Sequence, residues 1–143
     1  MFALRKAVLG LAVVSTVAVT GGAGTAAAEP GPDGRYYGSL ALATGTPEGT
    51  VWGVTWNYPS HGESDRDAIE ECGYSNCTVI ARFVDECVAL AKRDGRYLAA
   101  VGPTRADAER AAIAAFGPPR PATMSAAASE ATLLDSQCSG DAS

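Results

Sequence analysis

The stretch Tyr58–Gly73, YPSHGESDRDAIEECG, decides the fold, because a diverged copy follows 44 residues later as Gly102–Gly117, GPTRADAERAAIAAFG. The shift places Pro59-Ser60 on Pro103-Thr104, Asp65-Arg66 on Glu109-Arg110, Ala68-Ile69 on Ala112-Ile113 and Cys72-Gly73 on Phe116-Gly117. Each copy carries the signals of a helix. A hydroxyl at the head accepts a free amide N–H, carboxylates nearby complement the helix dipole, and a glycine closes the last turn. In the first copy Ser60 or Ser64 is the cap, Asp65 and Asp67 are the first-turn acids, and Ala68, Ile69 and Cys72 share one face. In the second, Thr104 and Asp107 resemble a capping box, Ala108, Ala112, Ala115 and Phe116 form the buried stripe, and Gly117-Pro118-Pro119 stops the helix.

Working outward, the flanks repeat as strands. Copy one, residues 36–84, reads strand Tyr37–Ala43, turn Thr44–Thr50, strand Val51–Tyr58, helix, strand Thr78–Val84. Copy two, residues 87–138, reads strand Cys87–Lys92, turn Arg93–Gly95, strand Arg96–Val101, helix, closing strand Ala131–Gln137. Segment 118–129 is rich in proline and alanine, has no counterpart in copy one, and reads as a loop insertion. Ser125–Leu134 also has good helix composition, so strand and helix compete there. The fold class is α+β: one small domain of two β-β-α-β repeats, mostly antiparallel sheet with helices packed on it.

The chain has 143 residues, with Arg5-Lys6 ahead of an uncharged run, Ala7–Thr20, and a small-residue region ending Ala26-Ala27-Ala28. This is the plan of a secretory signal peptide over residues 1–28, cleaved after Ala28. Residues 29–35 then form a linker, 36–138 the domain and 139–143 a tail. The run is short for a spanning helix, and no stable membrane insertion is expected after cleavage. The expected location is outside the cell or at its envelope, as a monomer. Beyond residue 28 lie nine bases against sixteen acids, a balance of −7. That excludes a general nucleic-acid binder, which needs a basic footprint.

Cys72, Cys77, Cys87 and Cys138 all follow the leader, and an even count in a small exported domain reads as two disulfides. Zinc fits poorly, because no paired Cys-x2-Cys occurs. The repeat register chooses the pairing. Cys72 and Cys77 correspond to Phe116 and Ala131; Cys87 and Cys138 correspond to Tyr37 and Val84. Each pair vanishes together from the other copy, which selects Cys72–Cys77 and Cys87–Cys138.

Tyr37-Gly38-Ser39-Leu40-Ala41, the aromatic strand Val51-Trp52-Gly53-Val54-Thr55-Trp56, the helix end Glu71-Cys72-Gly73, Cys87-Val88-Ala89-Leu90-Ala91 and Gly102–Glu109 form an ordered set. Together they resemble the DUF4189 family of exported bacterial domains, widespread in actinobacteria, over about Tyr36 to Cys138. The resemblance implies a two-repeat α+β domain and brings no activity, cofactor or catalytic residue. The sequence departs from the family pattern at Val88, where glycine is common, and at Phe116 and Ala131, where a further cysteine pair is common.

Candidate chemistry is sparse. Ser60-His61 with Asp65 suggests a hydrolase, but adjacent residues rarely align as nucleophile and base, and no Gly-x-Ser-x-Gly elbow occurs. Glu63, Asp65, Asp67, Glu70 and Glu71 do not follow a calcium-loop spacing and read as a solvated helix face. Arg93, Arg96, Arg105 and Arg110 read as scattered ion pairs. No cofactor or metal is expected. Trp52, Val54, Trp56 and Tyr58 alternate on one strand with Val51, Gly53, Thr55 and Asn57. The favoured expectation is that this aromatic face packs beneath the helices; left exposed, it is a binding surface for a sugar or a protein. The functional expectation is a non-catalytic binding module acting on a protein or glycan partner, an enzyme inhibitor being one form of it. The alternative is a small secreted hydrolase acting on cell wall or a host substrate.

Overall fold

The computed structural model describes residues 28–143. The leader expected over residues 1–28 lies outside the described residues, apart from Ala28. Eight elements follow in chain order: β1 Tyr37–Thr46, β2 Gly49–Tyr58, α1 His61–Cys72, β3 Thr78–Val84, β4 Cys87–Arg93, β5 Arg96–Gly102, α2 Arg105–Ala114 and β6 Thr132–Cys138. Strand, strand, helix, strand occurs twice, as the repeat requires.

Each repeat closes its own three-stranded antiparallel sheet, in the orders β2-β1-β3 and β5-β4-β6. The β1–β3 and β4–β6 registers match residue for residue. Tyr37 faces Val84 in the first sheet, and Cys87 faces Cys138 in the second. The pairing slips after Leu40 in one and after Leu90 in the other. This leaves Ile80 and Leu134 at equivalent bulges, both exposed. Bulges of this kind bend an edge strand away from further pairing.

Period-two alternation puts alternate residues of each central strand on opposite faces. On one side of β1, Ala41 and Ala43 meet Ala68 and Cys72 of α1. On one side of β4, Ala89 and Ala91 meet Ala108, Ala112 and Phe116 around α2. The other faces meet each other through Leu40, Val54, Phe83, Val88 and Leu90. The layers are therefore α1, first sheet, second sheet, α2. Full burial of a side chain such as Phe83 contributes about 1.5–3 kcal/mol.

The disulfides join Cys72 to Cys77 and Cys87 to Cys138, with sulfur–sulfur distances of 2.07 and 2.04 Å. The first closes the α1–β3 turn. The second ties the central strand of the second sheet to its neighbour.

Several expectations need correction. The aromatic face of β2 does not lie beneath a helix: α1 covers the opposite face, where a Cβ on Gly53 would sit 2.4 Å from the Ala68 carbonyl oxygen. The missing side chain at Gly53 is what lets α1 approach. α1 begins at His61, so Glu63 is the first-turn acid and Ser60 the cap, accepting the Glu63 amide at 3.3 Å. Ser64 takes the buried place assigned to Ile69, which is exposed. Ala115, expected in the buried stripe, is exposed, and α2 ends at Ala114. β1 and β2 extend further than expected, leaving only Pro47 and Glu48 in the turn. The closing element is a strand, starting one residue later than expected, at Thr132.

The insertion is not irregular throughout. Arg120 bridges to Ser129 and Thr123 to Ala126. The Asp94 carboxylate, in the β4–β5 turn, receives both Arg120 and the Ser129 hydroxyl. The tail is held too: Ser139 is fully buried, its amide donating to the Glu86 carbonyl at 2.9 Å.

Candidate functional site

Two polar groupings stand out, one beneath α1 and one between the sheets. Beneath α1, Ser39, Thr55 and Ser64 are buried. Thr55 Oγ1 lies 2.8 Å from both the carbonyl oxygen and the hydroxyl of Ser64, so it can donate to one and accept from the other. Ser39 donates to Asp65 Oδ1 at 2.5 Å, and Arg82 holds the same carboxylate through Nε and Nη2 at 2.9 and 2.6 Å. Burial alone would raise the Asp65 carboxyl; the Arg82 and Ser39 hydrogen bonds outweigh it and hold the group below its ordinary value.

His61 lies at the start of α1 with its ring edge-on to Tyr37, centroids 4.8 Å apart. Its Nδ1 is buried without a hydrogen-bond partner. Burial pushes the imidazole below its ordinary value, Asp65 acting against this and Arg82 with it. Serine, histidine and carboxylate thus do meet here, in an arrangement unlike a nucleophile with its base. The Ser39 hydroxyl points to Asp65 and is sealed from solvent, and Ser60 is occupied as the helix cap. A nucleophile needs a base in reach and an open face for substrate.

The internal repeat supplies a comparison. Ser39, Thr55 and Ser64 correspond to Ala89, Ala100 and Ala108 of the second unit, paired or packed in the same way. Alanine therefore suffices for a helix to lie on this sheet, and the hydroxyls of the first unit serve to fix Asp65 and its neighbours.

The second grouping lies where β2 crosses β6. Trp52 donates its indole N–H to Asp135 Oδ2 at 3.1 Å, and Gln137 donates to Asp135 Oδ1 at 3.3 Å. Further along, the Asn57 amide donates to Ser139 Oγ at 3.1 Å, and the Gly140 amide to Asn57 Oδ1 at 2.7 Å. Trp56 lies between these two rungs on β2, as Gln137 does on β6. Trp56 is 40% exposed. Glu71, on α1 beside β2, has its carboxyl raised by desolvation, with the Val54 amide pulling it down and the Asp135 charge pushing it up.

The three aromatic residues expected on one surface are divided. Asn57 adopts a left-handed conformation, φ 63°, and the β1–β2 register slips between Ser39 and Tyr37. The extra residue turns Tyr58 toward α1, where burial and a hydrogen bond to Asp67 raise its phenol to about 12. Trp52 and Trp56 remain on the inter-sheet side. Asp135 and Gln137 escaped the sequence reading. Their one signal is the repeat itself, for they replace Ala81 and Phe83, apolar residues of the first unit.

Comparison with known proteins places these residues in a family. The model of the domain of unknown function DUF4189 matches residues 37–138. Protein Rv1269c of Mycobacterium tuberculosis is 36% identical over 81 residues, 57% of this chain and 61% of the relative. Protein Mb1300c of Mycobacterium bovis matches to the same extent. Uncharacterized protein Rv1813c of Mycobacterium tuberculosis is 33% identical over 84 residues, 59% of this chain and 55% of the relative. The match thus spans about three fifths of the length of these relatives. No solved structure matches the chain.

Proposed function

The chain belongs to the DUF4189 family, and we propose that it is an exported, disulfide-stapled module that binds a partner without transforming it. The observation that carries this reading is Trp56, a large aromatic left 40% exposed on a strand whose other face is closed by α1. Exposed indole flanked by ordered polar groups is the composition of a contact site, since it gains much on burial and costs little conformational entropy. Export is supported by the leader expected over residues 1–28 and by two disulfides, which persist in oxidising compartments. No helix among the described residues is long and apolar enough to cross a membrane. The partner is a protein or a glycan at the cell envelope or beyond it, and inhibition of an enzyme is one form such binding takes.

The experiment is affinity capture with the purified protein from culture supernatant and envelope extract, with Trp56→Ala in parallel. A partner retained by the parent and lost by the variant is expected. Equal recovery by both, or none by either, would count against the reading.

One observation favours the alternative of a small hydrolase. Glu71 and Asp135 bring two carboxylates to the same edge of the sandwich, and Glu71 holds its proton more tightly than an ordinary glutamate. An acid of raised pKa near a second carboxylate is the pattern of glycoside hydrolysis. Release of reducing ends from a glycan, abolished by Glu71→Gln, would replace the binding reading with this one.

A further inference from the structure

We propose that the seam between β2 and β6 binds a neutral pyranose chain, with Trp56 as the stacking platform and Asp135 and Gln137 as the polar edge. This rests on the binding reading above and assigns the class of ligand.

The choice between glycan and protein follows from what surrounds Trp56. A protein contact needs a contiguous apolar centre with a polar rim. Here the exposed large apolar residues are dispersed. Ile69 lies on α1, Ile113 on α2, Ile80 on β3, Leu133 and Leu134 on the outer part of β6, and Met124 at the tip of the insertion. Trp56 has polar company along the seam instead: Asn57 next to it in β2, Gln137 on β6 between the Trp52–Asp135 and Asn57–Ser139 rungs, and Asp135 one rung back beside Trp52. A pyranose ring has an apolar C–H face and a rim of hydroxyls. The face suits an electron-rich indole, and the hydroxyls need acceptors and donors beside it.

Asp135 and Gln137 are set for that role. Trp52 fixes one carboxylate oxygen and Gln137 the other, so the carboxylate enters the contact already oriented. Each oxygen keeps further acceptor capacity for a hydroxyl donor, because a carboxylate offers about four lone-pair sites. The Gln137 amide carbonyl adds a neutral acceptor. Pre-ordered groups lower the entropic cost of binding. The sign of charge narrows the class further: a carboxylate at the contact and an acidic chain disfavour uronate or sulfated polymers. The equivalent seam, between β5 and β3, lacks these polar groups, since Ala81 stands where Asp135 would be and Phe83 where Gln137 would be.

The test titrates the purified, disulfide-bonded protein with chitohexaose, cellohexaose and hexagalacturonate, followed by indole fluorescence and calorimetry. At least one neutral hexamer is expected to bind and shift the emission, with hexagalacturonate at least tenfold weaker. Trp56→Ala should weaken binding tenfold or more, Trp56→Phe less, and Gln137→Ala several-fold. Because Trp56 is exposed, these variants are expected to keep the parent's circular dichroism. Absence of binding to both neutral hexamers, binding indifferent to Trp56→Ala, or preference for hexagalacturonate would each overturn the glycan assignment. A protein partner held through Trp56 with no glycan bound would overturn this inference and leave the binding reading intact. Failure of both the glycan titration and the affinity capture would sink the two together.

Discussion

Trp52 and Asp135 join the two sheets through a 3.1 Å hydrogen bond between residues 83 apart in the chain. The bond belongs to one side of the sandwich only. At the equivalent place on the other side, Tyr97 replaces Trp52 and Ala81 replaces Asp135. Trp52→Phe keeps most of the ring and removes the donor, so it should cost about 1 kcal/mol. Asp135→Ala leaves the half-buried indole N–H without its partner and should cost a similar amount. The double variant should be less destabilised than the sum, by about 0.5 kcal/mol or more. Urea denaturation of the four proteins measures this coupling. Strict additivity would mean that the bond does not contribute to sheet stacking.

The disulfides should differ in weight. Cys72–Cys77 closes 5 positions of chain and Cys87–Cys138 closes 51. On the loop-entropy account, the short bridge stabilises by roughly 2 kcal/mol and the long one by roughly 4. Paired Cys→Ser replacement at 87 and 138 should therefore lower the melting temperature more than replacement at 72 and 77. Melting in non-reducing buffer gives the order. A reversed order would show that strain or residual structure in the unfolded chain outweighs loop length.

Helices, strands and cysteine pairs were legible because their signals are local or repeated. Ser60 and Thr104 head the two helices and Gly73 closes α1 by capping chemistry, and the repeat register places Cys87 against Cys138 as it places Tyr37 against Val84. The aromatic strip departs from simple alternation for two physical reasons. Period two assumes an unbroken strand, and Asn57 breaks it with a left-handed residue, turning Tyr58 to the other face. Alternation also cannot tell which face a helix will take. Gly53 permits the close approach of α1 on its face, because a Cβ there would meet the Ala68 carbonyl. Asp135 and Gln137 were silent because their meaning comes from stacking of one sheet on the other, which no spacing within β6 encodes.

The buried hydroxyl pair makes a prediction that the second unit has already rehearsed. Thr55→Val alone leaves the Ser64 hydroxyl and carbonyl short of a partner in a sealed site, a loss of about 1–3 kcal/mol. Thr55→Ala with Ser64→Ala reproduces Ala100 and Ala108, which pack α2 on its sheet without hydroxyls. The double replacement should cost less than the two single alanine replacements added together. Equilibrium unfolding measures all three, and a cost equal to the sum would mean that the two hydroxyls are anchored separately.

Acid should destabilise the protein in two steps with separable origins. His61 titrates below its ordinary 6.5 in the fold, because burial disfavours the charged ring. As pH falls through 6.5 the unfolded chain takes up a proton that the folded chain refuses, so stability declines there. Asp65 is held below its ordinary 3.8 by Arg82 and Ser39 against the opposing effect of burial. Its contribution is complete above the unfolded value and fades as pH drops through 3.8 toward the folded one. His61→Gln should flatten the upper step and leave the lower. Asp65→Asn should lower stability at neutral pH, where Arg82 loses its carboxylate, and flatten the lower step. Urea midpoints measured from pH 8 to pH 3 resolve the two. An upper step that survives His61→Gln would place its origin in another group.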